Sequence, residues 1–110
     1  MAPTVELLYW DGCPSWPEAL EQLRAEMRAL GLPAEDVAVV EVTGDEQAEA
    51  LGFPGSPTIR VDGRDVEPVP EEPAALTCRV YRTHDGRVSP LPDPAQVRGA
   101  LRAALGNRAA

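Results

Sequence analysis

The sequence predicts an α/β fold of βαβαββα order, and three observations carry that expectation. Two apolar, β-rich runs, TVELLYW at 4–10 and VAVVEV at 37–42, flank a segment whose apolar residues recur at helical spacing. A shorter helical segment then leads into TIRV at 58–61 and an Asp62-Gly63 hairpin turn. Near the far end, Asp93 and Pro94 write the start of a closing helix, one as cap and the other as first helical residue.

Each element has its own signals. The first run ends at Asp11-Gly12 and reads as a buried strand. Leu20, Leu23, Met27 and Leu30 form one apolar helix face that stops at Gly31, while Glu21, Arg24, Glu26 and Arg28 fill most of the remainder. Ser15 with Glu18 three residues on has the pattern of a capping box, and Pro17 is tolerated where amides lack intrahelical acceptors. VAVVEV is nearly all valine and predicts a strand buried on both faces, paired parallel with the first through the helix. GDEQAEAL at 44–51 is a short acidic helix closed by Gly52. In the closing helix Val97, Leu101, Ala104 and Leu105 face the sheet, and Gly106 is expected to end it.

The stretch between Gly63 and Asp93 holds two candidates for the fourth strand, RDVEP and TCRVYRT, separated by the proline-rich, acidic PVPEEPAAL. The Asp62-Gly63 turn favours the nearer, whereas β-forming residues and a second turn at Asp85-Gly86 favour the farther. Both stay open on sequence alone.

At 110 residues one core, and hence a single domain over 1–110, is expected. Ten basic residues against 18 acidic ones give a net charge of −8, which repels nucleic-acid phosphates and anionic membranes. MAPTVELLYW lacks the basic and apolar regions of a secretion signal, and no later run is long and apolar enough to span a bilayer, so a cytoplasmic location is expected. Two cysteines, Cys13 and Cys78, are too few for a disulfide scaffold and read as thiols with chemical or packing roles.

VELLYWDGCPSWPEALEQL resembles the nucleophile segment of thioredoxins and glutaredoxins, with Cys13 at the first cysteine of their C-x-x-C motif. GSPTIRVDG resembles their cis-proline segment, with Pro57 as that proline. The likeness runs from residue 4 to 63, and the closing helix fits it. More narrowly, YWDGCPSW with LTCRVYRT is similar to a group of short bacterial thioredoxin-like proteins, some relatives of which use selenocysteine and some of which are labelled near alkylmercury lyases. The resemblance implies a three-layer α/β/α sandwich with an insertion between the third strand and the last helix, and a cis Ser56–Pro57 bond facing Cys13. It implies no cofactor. One departure stands out: Trp16 occupies the place of the second cysteine, so Cys13-Pro14-Ser15-Trp16 cannot close the usual internal disulfide.

Placed before a helix, Cys13 meets unpaired amides and the positive end of the dipole, which together favour its thiolate. The competing reading is a small apolar residue packed in a tight turn. Around it, Trp10, Gly12, Pro14 and Trp16 are candidates for a substrate rim, and Ser56, Pro57 and Thr58 for the opposite wall, where a substrate peptide could pair as a strand. Cys78 is the resolving candidate if it comes within about 7 Å between α-carbons. Its alternative is burial with Val80 and Arg82 in an alternating strand. His84 sits in a THDG turn and reads as a solvated residue before a base, while Arg79 and Arg82 are candidates to steady a thiolate or an anionic cosubstrate. Two cysteines and one distant histidine do not make a structural zinc site.

Three functions follow as expectations. The first is a thiol redox protein in which Cys13 attacks a disulfide or peroxide and Cys78 or a small thiol resolves the product. The second is a thiolate binder of a soft metal or organomercurial. The third is a redox-inactive interaction domain.

Overall fold

The computed structural model describes residues 3–68 and 73–109, with side chains through 106. Residues 69–72 of the proline-rich stretch lie outside the described residues. The order is β1 (Val5–Tyr9), α1 (Trp16–Ala29), β2 (Ala38–Glu41), α2 (Asp45–Leu51), β3 (Thr58–Val61), β4 (Arg64–Asp65), β5 (Tyr81–Arg82), β6 (Val88–Ser89) and α3 (Pro94–Ala109). A four-stranded mixed sheet runs β2-β1-β3-β4, and β5 and β6 form a separate hairpin.

β1 is the central strand. It pairs parallel with β2, Glu6 against Ala38 through Tyr9 against Glu41, and antiparallel with β3, Val5 against Val61 through Leu8 against Thr58. Because side chains alternate along a strand, Leu7 and Leu8 feed opposite faces. Leu7, with Val5, Ile59 and Val61, packs under Ala19, Leu23 and Met27 of α1 and Val97, Leu101 and Ala104 of α3. Leu8 packs with Val42, Ala48 of α2 and Phe53 on the other face, where Leu76 also rests. Helices thus cover both faces. The radius of gyration of 13.3 Å matches the value of about 13 Å expected of a compact chain of this length.

Several sequence expectations are corrected. VAVVEV is not buried on both faces: β2 is a sheet edge, Ala38, Val39 and Glu41 are exposed, and only Val37 and Val42 at its ends are buried. The valines mark β-propensity here, since among the described residues nothing pairs beyond the strand. The fourth strand is the nearer candidate, with Arg60 against Asp65 and Val61 against Arg64. TCRVYRT supplies only β5, which pairs with β6, and a single bridge from Cys78 to Ser56. Its phase is the reverse of the expected one, burying Arg79 and Tyr81 and exposing Cys78, Val80 and Arg82. Gly106 does not end α3, which continues to Ala109. Among the described residues, no helix is long and apolar enough to cross a membrane.

Candidate functional site

The antiparallel pairing of β1 with β3 sets the end of one beside the start of the other, Leu8 opposite Thr58. Hence the turn that follows β1 and the loop that precedes β3 must meet at one end of the sheet. Cys13 lies in that turn, its amide bonded to the Trp10 carbonyl at 3.0 Å, and α1 begins three residues later. The turn needs Gly12, because a β-carbon there would fall 2.4 Å from Cζ2 of Trp10. The Ser56–Pro57 bond opposite is cis, as the resemblance implies, and the Pro57 carbonyl accepts a hydrogen bond from the buried Tyr81 hydroxyl.

Cys13 is 1% exposed. Its Sγ lies 3.1 Å from Ser15 Oγ and 3.4 Å from the Ser56 carbonyl, to which the thiol donates. Ser15 therefore does not complete the expected capping box: it occupies the cap position of α1 with no side-chain cap bond and turns its hydroxyl to sulfur. Ser56 Oγ is fully buried and has no partner at hydrogen-bonding geometry, but it stands close enough to favour negative charge on Cys13. Burial pushes the Cys13 thiol up. The Ser15 hydroxyl, the Ser15 amide, Ser56 and Cys78 together outweigh it and hold the thiol below its ordinary value.

Cys78 reaches the same place from the far side of Ser56. Residues 75–79 run alongside 53–56: Ala75 donates its amide to Phe53, Thr77 accepts that of Ser56 at 2.8 Å, and Arg79 donates to the Ser56 carbonyl at 2.7 Å. Cys78 is consequently bridged to Ser56, exposed, and within interaction range of the Cys13 sulfur. Burial and the neighbouring Cys13 sulfur raise the Cys78 thiol, while Cys78 in turn helps to lower that of Cys13. Both thiols are free.

Arg79 anchors this segment and does not steady a thiolate. Its guanidinium, with the side chain 4% exposed, donates to Asp65 at 2.7 Å, to Thr58 Oγ1 at 3.1 Å and to the Glu67 carbonyl, and it lies 4.4 Å over the Tyr81 ring. Thr58 in turn donates to Gly55 at 2.6 Å. Gly55, at φ +138°, gives Arg79 room, since a β-carbon there would come within 3.1 Å of Arg79 Cβ.

Of the residues named from sequence, the structure thus brings together Cys13, Ser56, Pro57, Thr58 and Cys78, with Gly12 and Trp10 shaping the turn. Pro14 is exposed in it. Trp16 is drawn away from a rim role: its ring stacks on Tyr9 with centroids 3.9 Å apart and packs against the larger core cluster. His84 is bonded through Nδ1 to Asp93 at 2.9 Å, at the start of α3. Ser15 is the functional residue that sequence reasoning assigned to another task, since its spacing to Glu18 pointed to the helix cap. Tyr81 carried no signal beyond being a β-former.

No protein-family model matches the chain, and neither does any curated protein or solved structure. Its function is read from the site.

Proposed function

We propose that this chain is a thioredoxin-like thiol redox protein in which Cys13 and Cys78 form a reversible disulfide, acting in a reducing, cytoplasmic compartment. The observation that carries the reading is that both thiols meet at Ser56: the Cys13 Sγ lies 3.4 Å from its carbonyl, and the exposed Cys78 is bridged to it. The strand order β2-β1-β3-β4 and the cis-proline beside Cys13 support the thioredoxin-like part of it. Oxidation removes two protons and two electrons from the pair and passes the electrons to a disulfide or a hydroperoxide, and an external thiol restores the reduced form. Cys78 thereby supplies the second thiol that Trp16 leaves missing from the helical motif.

The interaction-domain alternative is disfavoured because the backbone polar groups of Ser56, which a partner strand would use, are already bonded within the chain. Mild oxidation followed by mass spectrometry tests the proposal. The wild type is expected to lose two hydrogens intramolecularly, and Cys78→Ser is not. Oxidised wild-type protein carrying only sulfenic acid or external-thiol adducts on Cys13 would refute the pair.

A further inference from the structure

The expected peptide-binding edge is filled. A peptide adds to a sheet through free amides and carbonyls, but the amide and carbonyl of Ser56 are taken by Thr77 and Arg79, and the Phe53 carbonyl by Ala75. The segment is not loosely laid there. Arg79 ties it to Asp65, Thr58 and the Glu67 carbonyl, and Tyr81 ties it to Pro57. Underneath, Cys13 is 1% exposed while Cys78 is open to solvent. Low exposure of the more acidic thiol separates thiolate character from access, two properties that a single attacking cysteine usually combines.

We propose that Cys78 is the thiol that meets the substrate, that Cys13 resolves the product from below, and that the substrate is a low-molecular-weight disulfide, not a peptide chain. This rests on the redox reading given above and adds the order of attack and the substrate class. In the first step deprotonated Cys78 attacks one sulfur of R–S–S–R, forming Cys78–S–S–R and releasing one R–S⁻. In the second, the Cys13 thiolate attacks Cys78 Sγ, forming the Cys13–Cys78 disulfide and releasing the second R–S⁻. Two protein thiols are oxidised, two R–S⁻ groups leave, and each takes up one of the two protons lost. A disulfide suits the first step better than a peroxide does. Its leaving thiolate needs no acid, whereas an alkoxide does, and the Ser15 hydroxyl is engaged with Cys13 while those of Thr58 and Tyr81 donate to backbone carbonyls. The order also uses the acidic thiol where it is effective, next to a mixed disulfide formed on the neighbouring Cys78.

The probe is bis(hydroxyethyl) disulfide, mixed in excess with the reduced full chain and followed by mass spectrometry. Cys13→Ser is expected to accumulate one hydroxyethylthio adduct on Cys78 at close to the wild-type initial rate, and Cys78→Ser to react at least about tenfold more slowly. Cys13→Ala, checked for wild-type circular dichroism, replaces Cys13→Ser if the buried serine unfolds the chain. Labelling of Cys13 in Cys78→Ser at the wild-type rate would overturn the order of attack. A disulfide-linked peptide with the same leaving group is expected to react at least about tenfold more slowly than the probe, and equal rates would overturn the substrate class. If wild-type Cys78 is labelled but never passes to a Cys13–Cys78 disulfide, the redox pair itself fails, an outcome separate from the other two.

Discussion

The serines around Cys13 show how few atoms set the character of the site. Ser15 Oγ is 3.1 Å from the sulfur, and Ser56 Oγ is buried beside it without another partner. A buried hydroxyl left unpaired costs about 1–3 kcal/mol, so the Ser56 hydroxyl is satisfied best when the sulfur carries charge. We predict that Ser15→Ala and Ser56→Ala each move the Cys13 thiol upward, because each removes a donor to its thiolate while burial continues to oppose charge. Thiolate ultraviolet absorbance against pH in a Cys78→Ser background reads this. A Cys13 titration unchanged in both variants would show that the helix end alone holds the charge. At the same scale, Gly12→Ala puts a β-carbon into the Trp10 ring and should destabilise the chain by about 1–3 kcal/mol in urea unfolding. Most of that cost should disappear when Trp10 is first replaced by alanine, since the two changes share one contact. An equal cost in both backgrounds would place the strain elsewhere.

At the scale of elements, the helix and turn signals were legible where a residue had one task and misleading where it had two. Asp93 is such a legible case. Its Oδ1 accepts the Ala95 amide at 2.9 Å and caps α3 as the Asp-Pro pattern implies. Its Oδ2 accepts both the His84 amide and Nδ1, which no local pattern could foretell because residues 84 and 93 meet only when the β5–β6 hairpin folds back. Ser15 is the opposite case, with cap spacing in sequence but a sulfur partner in space. The edge position of β2 is not legible, because a run of valines reports strand preference without reporting what covers it. The His84–Asp93 contact predicts a pH dependence with two signs. Hydrogen bonding to Asp93 raises His84 above its ordinary 6.5, so its stabilisation is complete below that value and is lost as pH rises through the folded value. Hydrogen bonds from His84 lower Asp93 from 3.8 to about 2, so its share is present above 3.8 and is lost as pH falls toward 2. The contact is therefore fully effective between about pH 4 and 6.5. The His84 side chain is 83% exposed, so screening keeps the effect small. Wild-type Tm should decline modestly from about pH 6 to about pH 8, and His84→Ala should flatten that decline. An identical slope in the variant would rule the contact out as its source.

Across the whole molecule, the site depends on a sheet edge remote from the sulfurs in sequence. β1 and β3 bring the turn at Cys13 to Pro57, whereas the segment carrying Cys78 is fastened in part by Arg79, held by Asp65, which belongs to β4. The sequence placed Cys13 and Pro57 together through the resemblance, and left Cys78 unplaced, since the buried ion pair that fixes it joins residues 14 apart across the proline-rich stretch. Removing one member of a buried pair leaves the other charge without its counterion, typically at about 3–5 kcal/mol, whereas replacing both with apolar groups costs far less. We predict that Asp65→Asn is markedly destabilising and that the double change Asp65→Leu with Arg79→Met recovers much of the loss in urea unfolding. The site should register the same change. With Arg79 released from Asp65, the bonds between residues 77–79 and Ser56 open more often, so hydrogen exchange at the Ser56 and Arg79 amides should accelerate beyond the amides of β1. Formation of the Cys13–Cys78 disulfide should slow in parallel, because the attacking and attacked sulfurs then spend less time within reach. Uniform acceleration of exchange over the whole sheet would reduce the Arg79–Asp65 pair to a general support of the fold. Acceleration confined to Ser56 and Arg79, with a slower disulfide, would identify it as the fastening that keeps Cys78 over Cys13.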